Sequence, residues 1–255
     1  MKIMSLAKKP RRVIAFDVEK VEALLNGYAS PGTTVEVAFP DDFDGSRVEQ
    51  ALGSQMMLNG LDHMLETPAI IRKIVWAAEN GYDAVVQSNT FDPGVDGGRL
   101  AVPIPVIGPF RTAMHVATSL ADRIGILVPL ASHVPYAWRL LRGFGMEGFV
   151  TDIRPLGIYG MDLKERIPEI TGKAVRLIEA LVGETGAQGV IPLGGALIPY
   201  VVDPADLEAR TGVPVYNTKS ISIRVAEMCV GLGLSHSPLT YPRAALASED
   251  FVRKA

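Results

Sequence analysis

Short, almost wholly apolar runs alternate with longer segments of helical period along this chain. The runs fall at residues 12–17, 34–39, 84–88, 105–107, 123–127, 149–155, 189–192 and 214–216. Such runs suit parallel strands that are covered on both faces. Between two of them Leu163, Ile167, Ile170, Ala174, Leu177 with Ile178, and Leu181 share one helical face, which predicts a helix over 163–185. A helix is also expected over 67–80, with Thr67 capping, Pro68 in the first position and Gly81 past the end. Near the end, Ile221, Val225, Met228 with Cys229, and Leu232 mark an apolar stripe, so Cys229 reads as a packed thiol. The regular alternation predicts an α/β protein built on parallel sheets.

The chain carries a rough internal echo. Residues 83–90 (DAVVQSNT) form a strand that enters a polar loop, and 187–196 (AQGVIPLGGA) repeat that plan about a hundred residues later. Each loop follows its strand, at the carboxyl end where open parallel sheets bind ligands. One loop from each half, facing across a cleft, is the expected site.

Composition narrows the function classes. A net charge of −3 and a pI near 5.8 leave no basic stripe for nucleic acid. Lys8, Lys9, Arg11 and Arg12 are the basic cluster, read as a solvated leader ahead of the first strand. No run approaches the roughly 18 apolar residues that cross a bilayer. The opening MKIMSLAKKPRR is too short in apolar residues for a secretory signal. A single cysteine excludes an internal disulfide and a multi-cysteine metal site. No His, Cys or carboxylate spacing has metal-ligand form, and no glycine loop fits a dinucleotide or phosphate fingerprint. The expectation is a cytoplasmic protein that needs no metal or other cofactor.

At the two loops the sequence resembles the aspartate/glutamate/hydantoin racemase superfamily, which also includes arylmalonate decarboxylases and maleate isomerases. The hydantoin racemase pattern Cys-Phe-x-Asp-Pro-Gly is met by Asn89-Thr90-Phe91-Asp92-Pro93-Gly94. Pro-Val-x-Gly is met by Pro105-Val106-Ile107-Gly108, and Leu-Gly-Cys-Ala-Gly by Leu193-Gly194-Gly195-Ala196-Leu197. Ser30 to Glu36 and the closing stretch from Pro214 to Leu234 match as well, while Arg123 to Gly143 is similar to the decarboxylase and maleate isomerase branch. The resemblance implies two Rossmann- or flavodoxin-like lobes related by a pseudo-twofold, with the substrate in the cleft between them. Residues 1–116 plus 219–255 would form one lobe and 117–218 the other. It also implies a homo-oligomer acting on a small carboxylate, cyclic imide or hydantoin-like compound.

The departure from the family lies in its sulfur. Family racemases use one thiolate to abstract a proton and a second thiol to return one. Here the first position falls on Asn89, or on Ser88 if the Cys-Asn-Thr form is matched instead. The second falls on Gly195, or on Gly194 with a shift of one residue. Ser88, Asn89 and Thr90 offer hydroxyl and amide groups, and Gly194, Gly195 and Ala196 offer backbone N–H groups. Such donors can stabilise an enolate or oxyanion.

Other candidates come from outside the loops. Asp17 resembles the aspartate of a glutamate-racemase Phe-Asp-Ser segment, and it also reads as a helix cap. Asp92 reads as a turn former. Arg111 offers a carboxylate clamp or a surface charge. Lys219, at a helix start where the dipole disfavours a cation, suggests anion binding. His133 reads as a solvated residue near a helix start, His115 as a weaker cleft candidate, and His63 and His236 as exposed. The readings that remain are an isomerase, lyase, decarboxylase or ring-directed hydrolase working without thiols, or a binding protein that kept the site and lost the chemistry.

Overall fold

The structure is a computed structural model that describes residues 1–13, 16–41, 60–159 and 162–251. Two compact units divide the described chain. One holds residues up to 41, Gly60–Pro109 and residues from Ser222 onward, and the other holds Phe110–Ile221.

The first unit contains β1 (Lys2–Leu6), α1 (Val18–Tyr28), β2 (Thr34–Ala38), α2 (Leu61–Glu79), β3 (Ala84–Gln87), α3 (Val95–Ala101) and β4 (Val106–Ile107). Its sheet is parallel, in the order β2-β1-β3-β4. Met4, Leu6, Ile70, Ile74, Val85 and Val106 anchor its core. Each such side chain contributes roughly 1.5–3 kcal/mol on leaving water.

The first strand is not at 12–17 but at Lys2–Leu6. Arg11–Val13 make a short 3-10 turn, residues 14–15 lie outside the described ones, and Asp17 caps α1. Two neighbouring apolar runs compete at this end of the chain. Pairing with Thr34–Ala38 on one side and Ala84–Gln87 on the other decides for the earlier one. The basic cluster therefore follows β1 and does not precede it. Helix α2 also starts earlier than expected, at Leu61, with Pro68 inside it. Thr67 does not cap the helix. Its hydroxyl donates to the His63 carbonyl at 2.6 Å, an extra bond beside a proline that can donate none.

Two tethers complete this unit. Ser30 donates through both N and Oγ to the Glu227 carboxylate, at 2.7 and 2.9 Å. His236 is half-buried, not exposed, and its Nε2 accepts from the Val106 amide at 2.8 Å on the outermost strand.

The second unit contains α4 (Pro109–Thr118), whose first residue groups with the first unit, followed by β5 (Ile124–Val128), α5 (His133–Phe144), β6 (Val150–Pro155), α6 (Ile167–Thr185), β7 (Gly189–Pro192) and α7 (Pro204–Thr211). Helix α8 (Thr218–Gly231) begins here, and from Ser222 it groups with the first unit. The sheet is parallel, in the order β6-β5-β7. The run expected as a strand at 214–216 gives a single bridge, Val215 to Val190. Leu127, Leu156, Ile170, Ile178, Val190 and Leu207 pack as its core. On α8 the expected apolar stripe is not the buried one. Met228 and Leu232 are 50% and 66% exposed, whereas Ser222, Ile223 and Ala226 are buried. Cys229 is half-buried.

In each sheet the chain steps from its first strand to one side, then returns to pair on the other. The switch points lie between β1 and β3 and between β5 and β7. Open α/β sheets bind their ligands outside the carboxyl ends at such points.

Asn26 gives a local test of how α1 is held to β2. Its side chain accepts from Val35 N at 2.9 Å and donates to Val35 O and Glu22 O at 2.8 Å each. Asn26→Ala should cost about 1–3 kcal/mol in urea unfolding, because buried backbone groups lose their partner.

Candidate functional site

In the first unit the switch point is flanked by the loop after β1 and the loop after β3. The β3 loop is organised by Gln87, the polar residue that ends an otherwise apolar strand. Buried to 1% exposure, its Nε2 donates to Pro93 O at 2.9 Å and its Oε1 accepts from Asn89 N at 3.0 Å. Asn89 Oδ1 accepts from Phe91 N at 2.9 Å, an Asx turn that leaves Nδ2 as the donor end of the amide. Ser88 N donates to Leu6 O at 2.7 Å, so the loop starts directly beside the end of β1. Ser88 and Asn89 are half-buried, while Thr90 is 1% exposed. Asp92 takes a left-handed φ of 55°, uncommon outside glycine but tolerated by aspartate. A Cβ on Gly108 would come within 2.5 Å of the Asp92 Oδ2. The Asp-Pro-Gly turn and the Pro-Val-x-Gly segment are thus one fitted pair, and the glycine makes room for the aspartate.

Behind this loop lies a cluster that the sequence reading missed. Lys8 Nζ is 2.5 Å from Asp62 Oδ2 and 3.4 Å from Glu66 Oε2, and Lys9 Nζ is 3.9 Å from Glu66 Oε1. His63 Nε2 is 3.6 Å from Asp62 Oδ2, and its ring packs 5.8 Å from that of Phe91. His63 is 5% exposed, and the lysines are ion-paired; neither belongs to a solvated surface. Burial alone would raise the Asp62 carboxyl, but Lys8, His63 and Lys9 outweigh it and hold it below the usual value. Asp62, His63 and Glu66 have metal-ligand chemistry, with ligand atoms all within 4.8 Å. The Lys8 ammonium already serves two of the three as their cation. The signal available in sequence was a helical i, i+1, i+4 set of ionisable groups, hidden because the helix was started six residues too late.

Asp17 is the N-cap of α1, accepting from Lys20 N at 3.3 Å and pairing with the exposed Lys20 at 3.5 Å. Capping is the role its surroundings display.

In the second unit the β5–β7 switch point is flanked by Pro129–His133 and Leu193–Tyr200. Gly194 has φ +92°, and a Cβ there would meet Pro129 Cγ at 2.4 Å, so only glycine fits. Gly195 is buried and Ala196 exposed. Carbonyls of both glycines accept bonds from the following turn, from Leu197 at 2.8 Å and Tyr200 at 3.1 Å. His133 is 8% exposed, not solvated, and its Nδ1 accepts from Leu130 N at 3.3 Å. Lys219 is 1% exposed, a rare state for lysine. Its Nζ stands 5.5 Å over the Tyr200 ring, and Asn217 Oδ1 accepts from the backbone N of Lys219 and of Ser220. Arg111 stacks 5.8 Å over Phe144, and His115 is exposed. A shallow depression bordered by Asp122, Gln188, Pro214 and Tyr216 opens at the opposite, amino-terminal end of these strands.

The sequence-predicted residues thus separate by unit. Asp17, Ser88, Asn89 and Thr90 belong to the first, and Arg111, Gly194, Gly195, Ala196 and Lys219 to the second. Both loops sit at switch points, which is the arrangement a ligand-binding α/β protein uses. A family model for Asp/Glu/Hydantoin racemase matches residues 19–226.

The chain belongs to the Asp/Glu/hydantoin racemase family.

Among relatives of this racemase family, the hydantoin racemase of Rhizobium meliloti is 28% identical over 192 residues, covering 74% of this chain and 78% of its own. The fold matches allantoin racemase from Pseudomonas fluorescens with a TM-score of 0.82 at 23% identity, over 96% of this chain and 97% of that one. Arylmalonate decarboxylase matches more distantly, with a TM-score of 0.55 at 16% identity over 94% and 97%. Among the described residues no helix is long and apolar enough to cross a membrane.

Two substitutions separate required from incidental glycines. Gly194→Ala should destabilise by about 1–3 kcal/mol in chemical denaturation, through strained φ and overlap with Pro129. Gly143→Ala, inside α5 with nothing near its added Cβ, should stabilise by about 0.5–1 kcal/mol. A pH series tests the buried cluster. Because Asp62 is held below its unfolded value, its stabilisation is complete above pH ~4 and is lost as pH falls through the native value. Between pH ~5 and ~2 wild type should lose stability more steeply than Asp62→Asn.

Proposed function

We propose that this family member is an enzyme acting on a small carboxylate or hydantoin-like substrate, through an enolate or oxyanion and without thiol chemistry. The observation that carries this reading is the position of sulfur. The chain has one cysteine, Cys229, well outside both family positions, and burial pushes its thiol above the ordinary value. Transfer between two thiols of one chain needs two, and a thiolate is the reactive form. The β3 loop retains hydrogen-bonding groups where sulfur would stand, and a preorganised donor at a developing oxyanion is often the largest catalytic contribution.

In this scheme Asn89 Nδ2 and Ser88 Oγ hydrogen-bond the substrate oxygen that gains charge. By itself, the second unit offers a group that attracts a carboxylate or an ionised imide, Lys219 at the start of α8, against Tyr200 of the turn that follows Gly194-Gly195. The reaction that follows the charged intermediate is isomerisation, loss of a carboxyl group, or ring-directed hydrolysis, each using this chain's own groups. We further propose a homo-oligomer in the cytoplasm, in keeping with the family resemblance.

Purified protein offered hydantoins, thiohydantoins and small dicarboxylates should convert at least one, read by chiral chromatography and NMR. Asn89→Asp keeps the turn's acceptor and loses the N–H donor, so kcat should fall about 100-fold with the fold intact. Lys219→Met should raise KM about tenfold, and Lys219→Arg should recover part of it. Ligand-induced thermal stabilisation with no product from any compound would replace the enzyme by a binding protein.

A further inference from the structure

Among the described residues of the first unit, the most heavily charged buried group is the cluster around Lys8, and the scheme above leaves it unused. Two lysines face two carboxylates, and His63 adjoins one of them. The Asp62 and Glu66 side chains are 5% and 0% exposed, whereas that of Lys8 retains 13%. Joining the end of a strand to a helix does not require such a network. Well-packed apolar residues of similar volume do it as well or better, because burying each ion costs several kcal/mol. Buried ionic groups with one partly accessible member, at the ligand end of a sheet, are characteristic of functional sites.

Position supports the same conclusion. Lys8 lies two residues beyond β1, the central strand that borders the switch point. The β3 loop starts at Ser88, bonded to Leu6 O, and reaches the cluster again through Phe91 against His63. Lys8 therefore belongs to the loop that flanks the β3 loop, whose groups are proposed to hold the substrate oxygen.

We propose that Lys8 is a catalytic residue, its ammonium donating a hydrogen bond to the substrate oxygen as that oxygen becomes negative. The inference rests on the enolate or oxyanion reading given above. No bond to Lys8 forms or breaks. As the C–H or C–carboxylate bond breaks, its electron pair moves onto the adjacent carbonyl oxygen, and the ammonium meets that growing charge. Asp62 and Glu66 are positioning residues, fixing the direction of the ammonium. Arginine at the same place would carry the charge in a wider, planar fork and fit it less well.

Three variants and three measurements decide the matter. Lys8→Met should lower kcat about 100-fold while KM changes less than about threefold, and Lys8→Arg should recover part of the loss. Because Lys8→Met strands two buried carboxylates, a neutralised triple variant is the control: Lys8→Met, Asp62→Asn and Glu66→Gln together. It should melt cooperatively by circular dichroism and remain as slow as the single variant. A single or triple variant working at the wild-type rate overturns the proposal. A wild type that converts no compound refutes the enzymatic reading, and calorimetry with parabanate, a planar anionic hydantoin analogue, then judges Lys8 separately. Binding weakened about tenfold or more in the triple variant supports the role. Equal binding by wild type and triple variant, or no binding to wild type, overturns it.

Discussion

A loop that leaves a parallel sheet at a switch point runs beyond the last bond of the ladder, so its own backbone groups need other partners. Something must satisfy those groups, and whatever does so also lines the crevice. In the first unit Gln87 fills that role, holding Asn89 N and Pro93 O from within the sheet while Asn89 closes its own turn on Phe91. In the second, the turn after β7 folds back on the carbonyls of Gly194 and Gly195. The geometry that makes a ligand site also fixes which residues can form it. Gly108 yields to Asp92, and Gly194 yields to Pro129. The family motifs are thus steric requirements of two tight turns, and they persist here with no cysteine in either turn.

Charge is distributed differently in the two units. The first neutralises its buried carboxylates with lysines from the loop after β1, so a cation is held near the β3 loop by paired partners. The second buries Lys219 at the first turn of α8, against the face of Tyr200, whose quadrupole favours a cation. One ammonium is fixed by opposite charge, the other stands at the positive end of a helix.

Much of the fold was legible in the sequence, because an apolar run bounded by polar turns has few other uses. Runs at 34–39, 84–88, 123–127, 149–155 and 189–192 all became parallel strands. The failures share a cause, which is that local pattern carries no information on pairing. The run at 12–17 resembled a strand as well as Lys2–Leu6 does, and only register with β2 and β3 separates them. Thr67-Pro68 resembled a helix start, although the helix already ran through it. That misplaced start hid the ionisable cluster around Lys8, since Asp62, His63 and Glu66 then fell in a supposed loop. On α8 the visible stripe of larger apolar residues stayed largely outside, while small Ala226 and Ser222 went in. The two ligand-side loops were found from the internal echo, whereas Gln87 and Lys8 act through tertiary neighbours that no spacing records.

The central proposal is that an enolate or oxyanion forms here without sulfur. Deuterium incorporation from D2O reports enolate formation whether the intermediate is reprotonated or follows loss of a carboxyl group. It should be followed by proton NMR on a 5-substituted hydantoin and a substituted malonate, with wild type and with Cys229→Ser. The account predicts incorporation above the buffer blank, at equal rates in both proteins. Incorporation abolished by Cys229→Ser, or absent from both proteins with the hydantoin ring left closed, would contradict it.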